Sequence, residues 1–502
     1  MKVRAMASLF LLLAVLSPAS ARAGEDAEGK IPISLDTAVR MAIERNLGLR
    51  VTTFNPAIAE TGILRAGAIY NPRLDALLDH REEDYRIVPD SPTVVRSSFF
   101  DADVSLNQLL GTGATAAVTF NNLFFEDSLE GPASRFARPE LSLSLSQPLL
   151  SGLGREVTER GITVASDAKE ASLAGWRDAA LGVAASARDA YFLLIKAQEE
   201  LATREASLAV ARQVHAENEA RVRAGVLASI ELLDSEFGLA GRERDLLEAQ
   251  KNVLEQADRL RVLIQSPDSG TLSPEASFPE GRVEASEEVA TATALRKRPD
   301  LLGARISLKT FEFQAKVSRN LALPSLAATG SAGVKGLSKN YGDAIDDLVS
   351  ADVPFWSVGL SFSYPLGNDS ARADLAEATL RARQAEAQLR DLEELIGLDV
   401  RSAIRDMETK FREIEVAKKG VVLGEARLAS FLKRGKLGLA TTKNILEVEA
   451  DYVAARDALT AARADYQGAV TRFYRSTGEL LERHGIAVSD REIGMITRKG
   501  TR

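Results

Sequence analysis

The sequence contains no cysteine and only three histidines among its 502 residues. Without cysteine it has no disulfides, no thiolate metal ligands and no lipid-modified N-terminal cysteine. The histidines, His80, His215 and His484, lie far apart in the chain and match no metal-binding spacing such as HExxH. A P-loop, a nucleophile elbow and a dinucleotide fingerprint are also missing, and Gly111-Thr112-Gly113 is interpreted as a turn. The sequence therefore predicts no catalytic residues, no cofactor and no metal site, and argues against an enzyme.

The formal net charge is -8, and it becomes -11 once three cations of the N-terminal segment are removed. An acidic balance argues against a nucleic-acid partner and against a basic membrane-surface binder. Beyond that segment, no run of 18 apolar residues follows. If the protein inserts into a membrane, we therefore expect it to do so through β-strands.

The N-terminus has the features of a secretory signal. Lys2 and Arg4 precede an apolar run over residues 5–16, and Ala21-Arg22-Ala23 has the pattern of a cleavage site. The run is too short for a spanning helix, although a retained anchor is the alternative. We therefore assign residues 1–23 to a signal peptide and expect the mature chain to begin at Gly24.

Proline is missing from two long stretches. The 118 residues between Pro148 and Pro267 contain none, and neither do the 137 residues after Pro365. At the average usage of roughly 5%, each stretch would hold about six. Long segments without proline that are rich in Ala, Leu, Glu and Arg are typical of long helices.

The landmarks before these stretches are duplicated. Pro72 and Leu74 reappear 252 residues later as Pro324 and Leu326. The segment Leu143-Ser144-Leu145-Ser146-Gln147-Pro148-Leu149 has a counterpart 217 residues later, in Leu360-Ser361-Phe362-Ser363-Tyr364-Pro365-Leu366. The difference between the offsets means that the first repeat carries about 35 extra residues. Each repeat is predicted to contain a helix, strands and a long helical hairpin.

Heptad spacing runs along the predicted helices. Apolar residues recur every seven positions at Leu232, Leu239, Leu246, Val253 and Leu260, and again at Ile445, Tyr452, Leu459, Tyr466, Phe473 and Leu480. Sustained spacing of this kind favours coiled-coil packing. An ordinary bundle is the alternative, but about 70 residues per helix would span roughly 100 Å, far more than a globular helix.

The predicted strands are short and alternating. Leu141, Leu143 and Leu145 face one side, while the serines between them face the other, and the same pattern recurs from Val358 to Tyr364. Alternation over about ten residues suits a transmembrane strand, although a half-buried soluble strand has the same pattern.

Several segments in this duplicated order carry a family resemblance. They are Leu35-Asp36-Thr37-Ala38-Val39 through Asn46-Leu47, Arg298-Pro299-Asp300-Leu301, Ser146-Gln147-Pro148-Leu149-Leu150, Arg221-Val222-Arg223-Ala224-Gly225 and Lys436-Leu437-Gly438. Together they resemble the TolC-type outer-membrane efflux protein family over nearly the whole mature chain.

This resemblance implies a mainly α fold with a small transmembrane β part. Long coiled-coil helices would form a periplasmic α-barrel that is continuous with a β-barrel, and both would be built by a homotrimer. The implied function is that of a passive outer-membrane exit duct for a tripartite efflux or type I secretion system in a Gram-negative bacterium. Its partners would be a periplasmic adaptor, an inner-membrane transporter of the RND, ABC or MFS type, and outer-membrane lipid.

The expected organisation has four parts: the signal peptide over 1–23, a first repeat over 24–284 with a helical hairpin at 152–265, a second repeat over 285–485 with a hairpin at 370–482, and a polar tail over 486–502. Two strands per repeat give four per chain and about twelve per trimer.

The first repeat also contains an extra predicted hairpin, formed by residues 99–108 and 114–125. We favour an extension beyond the barrel, with residues 80–84 and 127–138 as surface loops. In the alternative, the hairpin joins the wall and raises the strand count to about eighteen.

The tips of the helical hairpins are the candidate functional sites. Gly225 and Gly438 are expected to end the outgoing helices. In the resembled family these tips bind the adaptor and close the entrance, with acidic residues in the lumen. The matching positions are Glu231, Asp234, Asn444 and Glu447; Asn444 departs from the acid found there in well-known members. For Glu231 and Asp234 the alternative is that they are first-turn helix acids that interact with the macrodipole.

Three competing interpretations remain. A periplasmic adaptor has one helical hairpin rather than two, a secreted structural coiled coil leaves the duplicated strands unexplained, and a periplasmic enzyme lacks a catalytic constellation. The exported substrate is not encoded in any recognisable motif.

Overall fold

The computed structural model describes residues 31–86, 94–127, 134–267 and 270–486. The predicted signal peptide, residues 1–23, and all but the first residue of the predicted tail, 486–502, lie outside the described residues. In chain order the elements are β1 (Ile31–Ile33), α1 (Leu35–Arg45), α2 (Leu47–Thr52), α3 (Phe54–Gly67), β2 (Arg73–Arg86), β3 (Val94–Leu109), β4 (Thr115–Asp127), β5 (Ser134–Pro148), α4 (Arg155–Thr158), α5 (Arg160–Arg223), α6 (Ser229–Ile264), β6 (Leu272–Pro274), α7 (Glu287–Lys297), α8 (Pro299–Leu321), β7 (Ser325–Lys335), α9 (Tyr341–Ser350), β8 (Pro354–Ser363), α10 (Asp369–Lys436), α11 (Thr442–Ser476) and α12 (Leu480–Arg483).

Helices dominate the fold, and the two longest fall in the proline-free stretches. Helix α5 has 64 residues and α10 has 68, so each is roughly 100 Å long. Each returns through a second helix, α6 or α11, to form a long hairpin. In the described part of the chain, no helix combines the length and the apolar composition needed to cross a membrane.

Most of the core lies along the heptad seams. One cluster packs Leu194, Leu260 and Tyr191 between α5, α6 and the N-terminal segment, and another packs Ile396 and Tyr466 between α10 and α11. Seam residues at Leu260 and Phe473 are buried, as the spacing predicts. Alanines occupy many α5 positions in contact with neighbouring helices, which allows the helix axes to approach closely.

The β-structure consists of a short parallel pair, β1 with β6, and a six-stranded antiparallel sheet in the order β2-β3-β4-β5-β7-β8. The extra hairpin of the first repeat therefore does not project beyond the sheet. Its strands β3 and β4 lie between β2 and β5 and pair with them along their length. The expectation of an extension was wrong, because the backbone groups of both segments are satisfied by strands on either side.

Two further expectations about the β part also need correction. Residues 80–84 belong to strand β2 and are not a surface loop. Of the second predicted loop, 127–138, residue 127 ends β4 and residues 134–138 belong to β5, whereas 128–133 lie outside the described residues. The sheet has six strands per chain rather than four. Helix α9, between β7 and β8, was not predicted; it packs its buried residues Ala344 and Leu348 towards the sheet.

Candidate gate at the helix tips

The two hairpins end in turns of the same backbone geometry. Gly225 and Gly438 both have φ of +73°, a conformation that glycine adopts without strain. The amide of Val226 donates to the carbonyl of Arg221 at 3.0 Å, and the amide of Leu439 donates to that of Arg434 at 2.8 Å. These bonds are the six-to-one bonds of a Schellman motif, so both glycines lie where the sequence predicts.

The first hairpin caps the end of α10 in the second. Both Nη atoms of Arg221 donate hydrogen bonds of 2.8 Å, one to the carbonyl of Gly435 and the other to that of Lys436. Carbonyls in the last turn of a helix lack intrahelical partners and carry the negative end of its dipole. A guanidinium therefore stabilises this helix end by charge as well as by hydrogen bonding.

The first hairpin also caps the start of α11. The amide of Thr442 donates to Glu231 Oε2 at 2.7 Å. The side-chain amide of Asn218, which is buried, donates to Thr442 Oγ1 at 2.7 Å. A carboxylate at a helix N-terminus satisfies a free amide and interacts favourably with the dipole. Glu231 lies in the first turn of α6, as the alternative predicts, and its Oε2 also accepts from the start of another helix.

The other three predicted tip residues make no described hydrogen bond between the two hairpins. Asn444 belongs to a local cap, in which its amide donates to Thr441 Oγ1 at 3.2 Å. Glu447 is exposed and lies 4.0 Å from Lys443 within the same helix. Asp234 is half-buried and takes part in none of the described bonds between the two hairpins. Of these four residues, only Glu231 takes part in a described hydrogen bond between the two hairpins.

A buried ion pair joins the hairpins farther from the tips, and sequence reasoning missed it. Arg242 Nη2 on α6 lies 2.6 Å from Glu449 Oε2 on α11, and Glu449 is only 2% exposed. Ser207 on α5 donates to the other carboxylate oxygen, and Arg242 also donates to the carbonyl of Leu446 at 3.1 Å. Three helices are therefore tied to one carboxylate. Glu449 lies between the heptad residues Ile445 and Tyr452, but the equivalent Glu236 on α6 is exposed, so the heptad pattern alone did not indicate the pair.

Two glycines let the helices approach closely at this level. A Cβ on Gly238 would lie 2.5 Å from Leu446 Cδ1, and one on Gly435 would lie 2.5 Å from Ile445 Cδ1.

Between the hairpins there remains a cavity of about 330 Å³, lined in part by Asn218 and Arg221. We call the contacts of Arg221, Glu231, Asn218 and the Arg242–Glu449 pair the tip latch.

A second set of polar groups, of which Arg188 and His484 are buried, lies far from the tips along α5. His484 Nδ1 lies 2.7 Å from Asp36 Oδ1, and its Nε2 lies 3.4 Å from Arg188 Nη1. Burial lowers the pKa of His484; the hydrogen bond with Asp36 opposes this shift and the charge of Arg188 adds to it. These groups join the N-terminal helix of the first repeat to the end of the second.

Known proteins share this fold. Residues 291–479 match the sequence profile of the family described as outer membrane efflux protein. Outer membrane efflux protein BepC of Brucella suis biovar 1 (strain 1330) is 21% identical over 232 residues, which are 43% of this chain and 49% of BepC. The matched part thus spans about half the length of that relative.

Solved structures match over more of the chain. The outer-membrane channel OprN aligns with a TM-score of 0.66 and 19% identity, over 88% of this chain and 89% of OprN. The open state of the Neisseria gonorrhoeae MtrE outer membrane channel aligns with a TM-score of 0.61 and 19% identity, over 88% of each chain. These likenesses establish the fold, and the family resemblance predicted from the sequence is confirmed.

Proposed function

Because residues 291–479 match the outer membrane efflux protein family, we propose that the chain is a member of this family and forms a passive trimeric exit duct that is gated at its helix tips. The family places the chain in the outer membrane of a Gram-negative cell, with its long helices in the periplasm. The relatives are named as channels and efflux proteins, so the prediction that the chain is not an enzyme is confirmed by its family.

The observation that carries the proposal is a helical layer with two open edges. Contacts between the four hairpin helices follow the order α6-α5-α11-α10, so α6 and α10 each have one side without a neighbouring hairpin helix among the described residues. Both expose apolar side chains, Ile230, Leu233, Phe237, Leu247, Leu254 and Val262 on α6, and Leu380, Leu395, Leu398, Val416, Val422 and Leu423 on α10. Rows of this length on a helix support burial against another chain.

A ring of copies of this chain buries both edges of the helical layer, because α6 of one copy then packs against α10 of the next. The sheet has the same arrangement: its edge strands, β2 and β8, belong to opposite ends of the order. Six strands are too few to close on themselves, since known barrels of this kind have at least eight. The likeness to the outer membrane efflux protein family supports three copies per ring.

The tip latch supplies a closed state for the gate. Its bonds hold the second hairpin against the first. Several of them cap helix ends, and a bound partner can supply other capping groups in their place. Binding of a periplasmic adaptor at the cavity between the hairpins, driven by an inner-membrane pump, would favour an arrangement in which α10 and α11 move away. Support comes from the fold neighbour MtrE, which was solved in an open state.

A carboxylate ring at the entrance is the second part of the gate proposal. Asp234 and Glu447, with Glu231 once the latch is broken, would line a narrow opening and attract cations. Replacing the three with Asn, Gln and Gln should weaken the cation preference of the reconstituted channel. Ion selectivity that stays unchanged, measured as reversal potential in a salt gradient, would remove the ring from the account.

The oligomeric state of the purified protein tests the proposed duct. Phe237 is 85% exposed on the α6 edge, and Phe237→Glu should convert detergent-extracted trimers to monomers. Leu193→Glu is the control, because Leu193 is an exposed apolar residue on α5, which has neighbours on both sides in the layer. Light-scattering mass distinguishes them. A wild-type chain that is monomeric in mild detergent would overturn the proposal.

A further inference from the structure

The two faces of the six-stranded sheet differ in chemistry. An apolar row crosses one face in register, with one residue from each strand: Leu74, Leu106, Val118, Leu143, Ala332 and Trp356. The neighbouring row, on the opposite face, is mostly polar: Arg73, Asn107, Ala117, Ser144, Ser331 and Ser357. In a membrane barrel the apolar face contacts lipid and the polar face lines the lumen. The polar face is therefore the luminal face of the duct proposed above.

The luminal face becomes aromatic towards one end of the strands. It carries five aromatic side chains there: Tyr85, Phe99, Phe125, Phe136 and Phe355. Each lies an even number of positions from the polar row on its own strand, so all five share the face of that row. The long helices α5 and α10 follow the opposite ends of strands β5 and β8. These five rings, which we call the mouth belt, therefore lie at the outer mouth of the duct.

Three rings of the mouth belt form one stacked row across adjacent strands. Phe99 pairs with Phe125, and Phe125 pairs with Phe136. Their ring centroids lie 6.3 and 5.2 Å apart, with interplanar angles of 16° and 18°. Each ring is half-buried, so part of it stays accessible. The row is a flat apolar platform on a face that elsewhere carries mostly small and hydrophilic side chains.

The two outer rings of this row each contact a cation of the chain itself. The guanidinium carbon of Arg81 lies 4.8 Å from the centroid of Phe99. Lys339 Nζ lies 5.6 Å from the centroid of Phe136. Both distances are within the range of cation–π attraction. The central ring, Phe125, has no such cation among the described contacts, so its position is the one that suits an external cation.

Carboxylates without a cation lie beside the row. Asp79 and Asp101 pair directly across β2 and β3, one luminal row nearer the long helices than the phenylalanines. Like charges that lie directly opposite each other destabilise a sheet. Asp103 follows on β3, and its Oδ1 is buried without a hydrogen-bond partner among the described residues. None of the three aspartates takes part in a described ion pair, whereas Arg81 pairs with Glu83 at 3.1 Å.

We propose that the stacked row and these aspartates form a binding site for planar aromatic cations in the outer mouth of the duct. The proposal rests on the trimeric duct proposed above, in which three such sites face one lumen. Luminal rows are two residues, or about 7 Å, apart along a strand. A flat ring system stacked on Phe125 therefore brings its positive charge close to Asp101. A simple cation lacks the stacking contact and a neutral ring lacks the ionic one, so the site favours molecules that combine both.

Block of the open channel in planar bilayers tests the site. N-methylquinolinium, added on the outer side, should reduce the open current at a concentration about tenfold lower than tetramethylammonium, which has the charge but no ring. Equal block by the two cations, or block by neither, would overturn the site while leaving the duct intact. A chain that forms no conducting trimer would instead overturn the proposed function.

Two adjacent phenylalanines provide matched variants, because Phe124 and Phe125 point to opposite faces of β4. Phe125→Leu keeps an apolar side chain but removes the ring, and it should weaken block by N-methylquinolinium about tenfold. Phe124→Leu should leave the block unchanged, and equal effects of the two substitutions would contradict the proposal. If either variant does not fold, the comparison of the two cations on the wild type still decides.

The dependence on Phe125 also separates the two ends of the duct. The carboxylates proposed at the entrance attract cations whether or not these carry a ring. Asp101→Asn should weaken block by N-methylquinolinium added on the outer side, because it removes the charge partner of the stacked ring. Block that is insensitive to both Asp101→Asn and Phe125→Leu would place the bound cation elsewhere and overturn the site.

Discussion

The two hairpin tips share a backbone but differ in what their side chains do. Positions correspond at an offset of 213, so that Arg221 matches Arg434 and Glu231 matches Asn444. Arg221 and Glu231 reach across to cap the second hairpin. By contrast, Arg434 lies over Phe431 within its own helix, and the Asn444 side chain accepts a hydrogen bond from its neighbour Thr441. The buried Glu449 corresponds to Glu236, which is exposed. Duplication thus accounts for the shape, and divergence of a few side chains makes one hairpin hold the other.

The buried ion pair is where this asymmetry should have the largest energetic effect. Glu449→Leu leaves the Arg242 guanidinium unpaired and largely buried, so we expect a loss of about 3–5 kcal/mol in the free energy of unfolding. Glu236→Leu, the matched change in the first repeat, should cost less than about 0.5 kcal/mol. Denaturant titration followed by helical circular dichroism measures both.

The double variant Arg242→Met/Glu449→Leu separates a buried charge from a lost contact. It should recover most of the stability, because no charge is then left unpaired. A double variant as unstable as Glu449→Leu alone would contradict this assignment.

The cap on α10 comes next in size. Arg221→Ala removes two charge-assisted hydrogen bonds to Gly435 and Lys436, which is expected to cost about 1.5–3 kcal/mol and to increase the open probability of the channel. Arg434→Ala is the matched control and should leave gating unchanged. Equal effects of the two substitutions would mean that the tips are functionally equivalent.

The cap on α11 should have a smaller effect. Glu231→Ala removes the acceptor for the Thr442 amide, at a cost of about 1 kcal/mol. Asn444→Ala removes only the hydrogen bond that Thr441 Oγ1 donates to Asn444 Oδ1, since the capped backbone amide is retained, and it should not change the rate of crosslinking between the hairpins. The crosslinking rate can be measured with cysteines introduced into this cysteine-free chain. If both Glu231→Ala and Asn444→Ala crosslink faster than the parent chain, the result would argue against the latch.

Far from the tips, pH should change stability rather than gating. The pKa of His484 is lowered in the folded chain, so the neutral ring is the form that folding favours. Stability is therefore present above the unfolded pKa of about 6.5 and is lost as the pH falls below it. His484→Gln should reduce the difference in melting temperature between pH 7 and pH 5. A wild type that is more stable at pH 5 would contradict the sign.

The heptad spacing and the positions of proline and glycine made the helices and their tips predictable. Proline-free stretches gave the long helices, and Gly225 and Gly438 marked the turns. The tip latch was harder to predict, since Arg221 and Gly435 are 214 residues apart and nothing local to either indicates the contact. The burial of Glu449 was no easier to predict, because Glu236 has the same place in the heptad pattern of α6 and is exposed.

The sheet shows a similar limit. The alternation of Leu106 and Val118 was visible in the sequence, but whether a hairpin pairs with its flanking strands depends on non-local hydrogen bonds. Local turn signals therefore favoured an extension where the two strands are paired inside the sheet.

The most direct test of the account is single-channel conductance of the purified trimer in planar bilayers, compared with that of Arg221→Ala. We predict discrete, cation-preferring openings that are rare in the wild type and frequent in the variant. A folded trimer that conducts no ions in either form would contradict the central claim that the tip latch closes a duct.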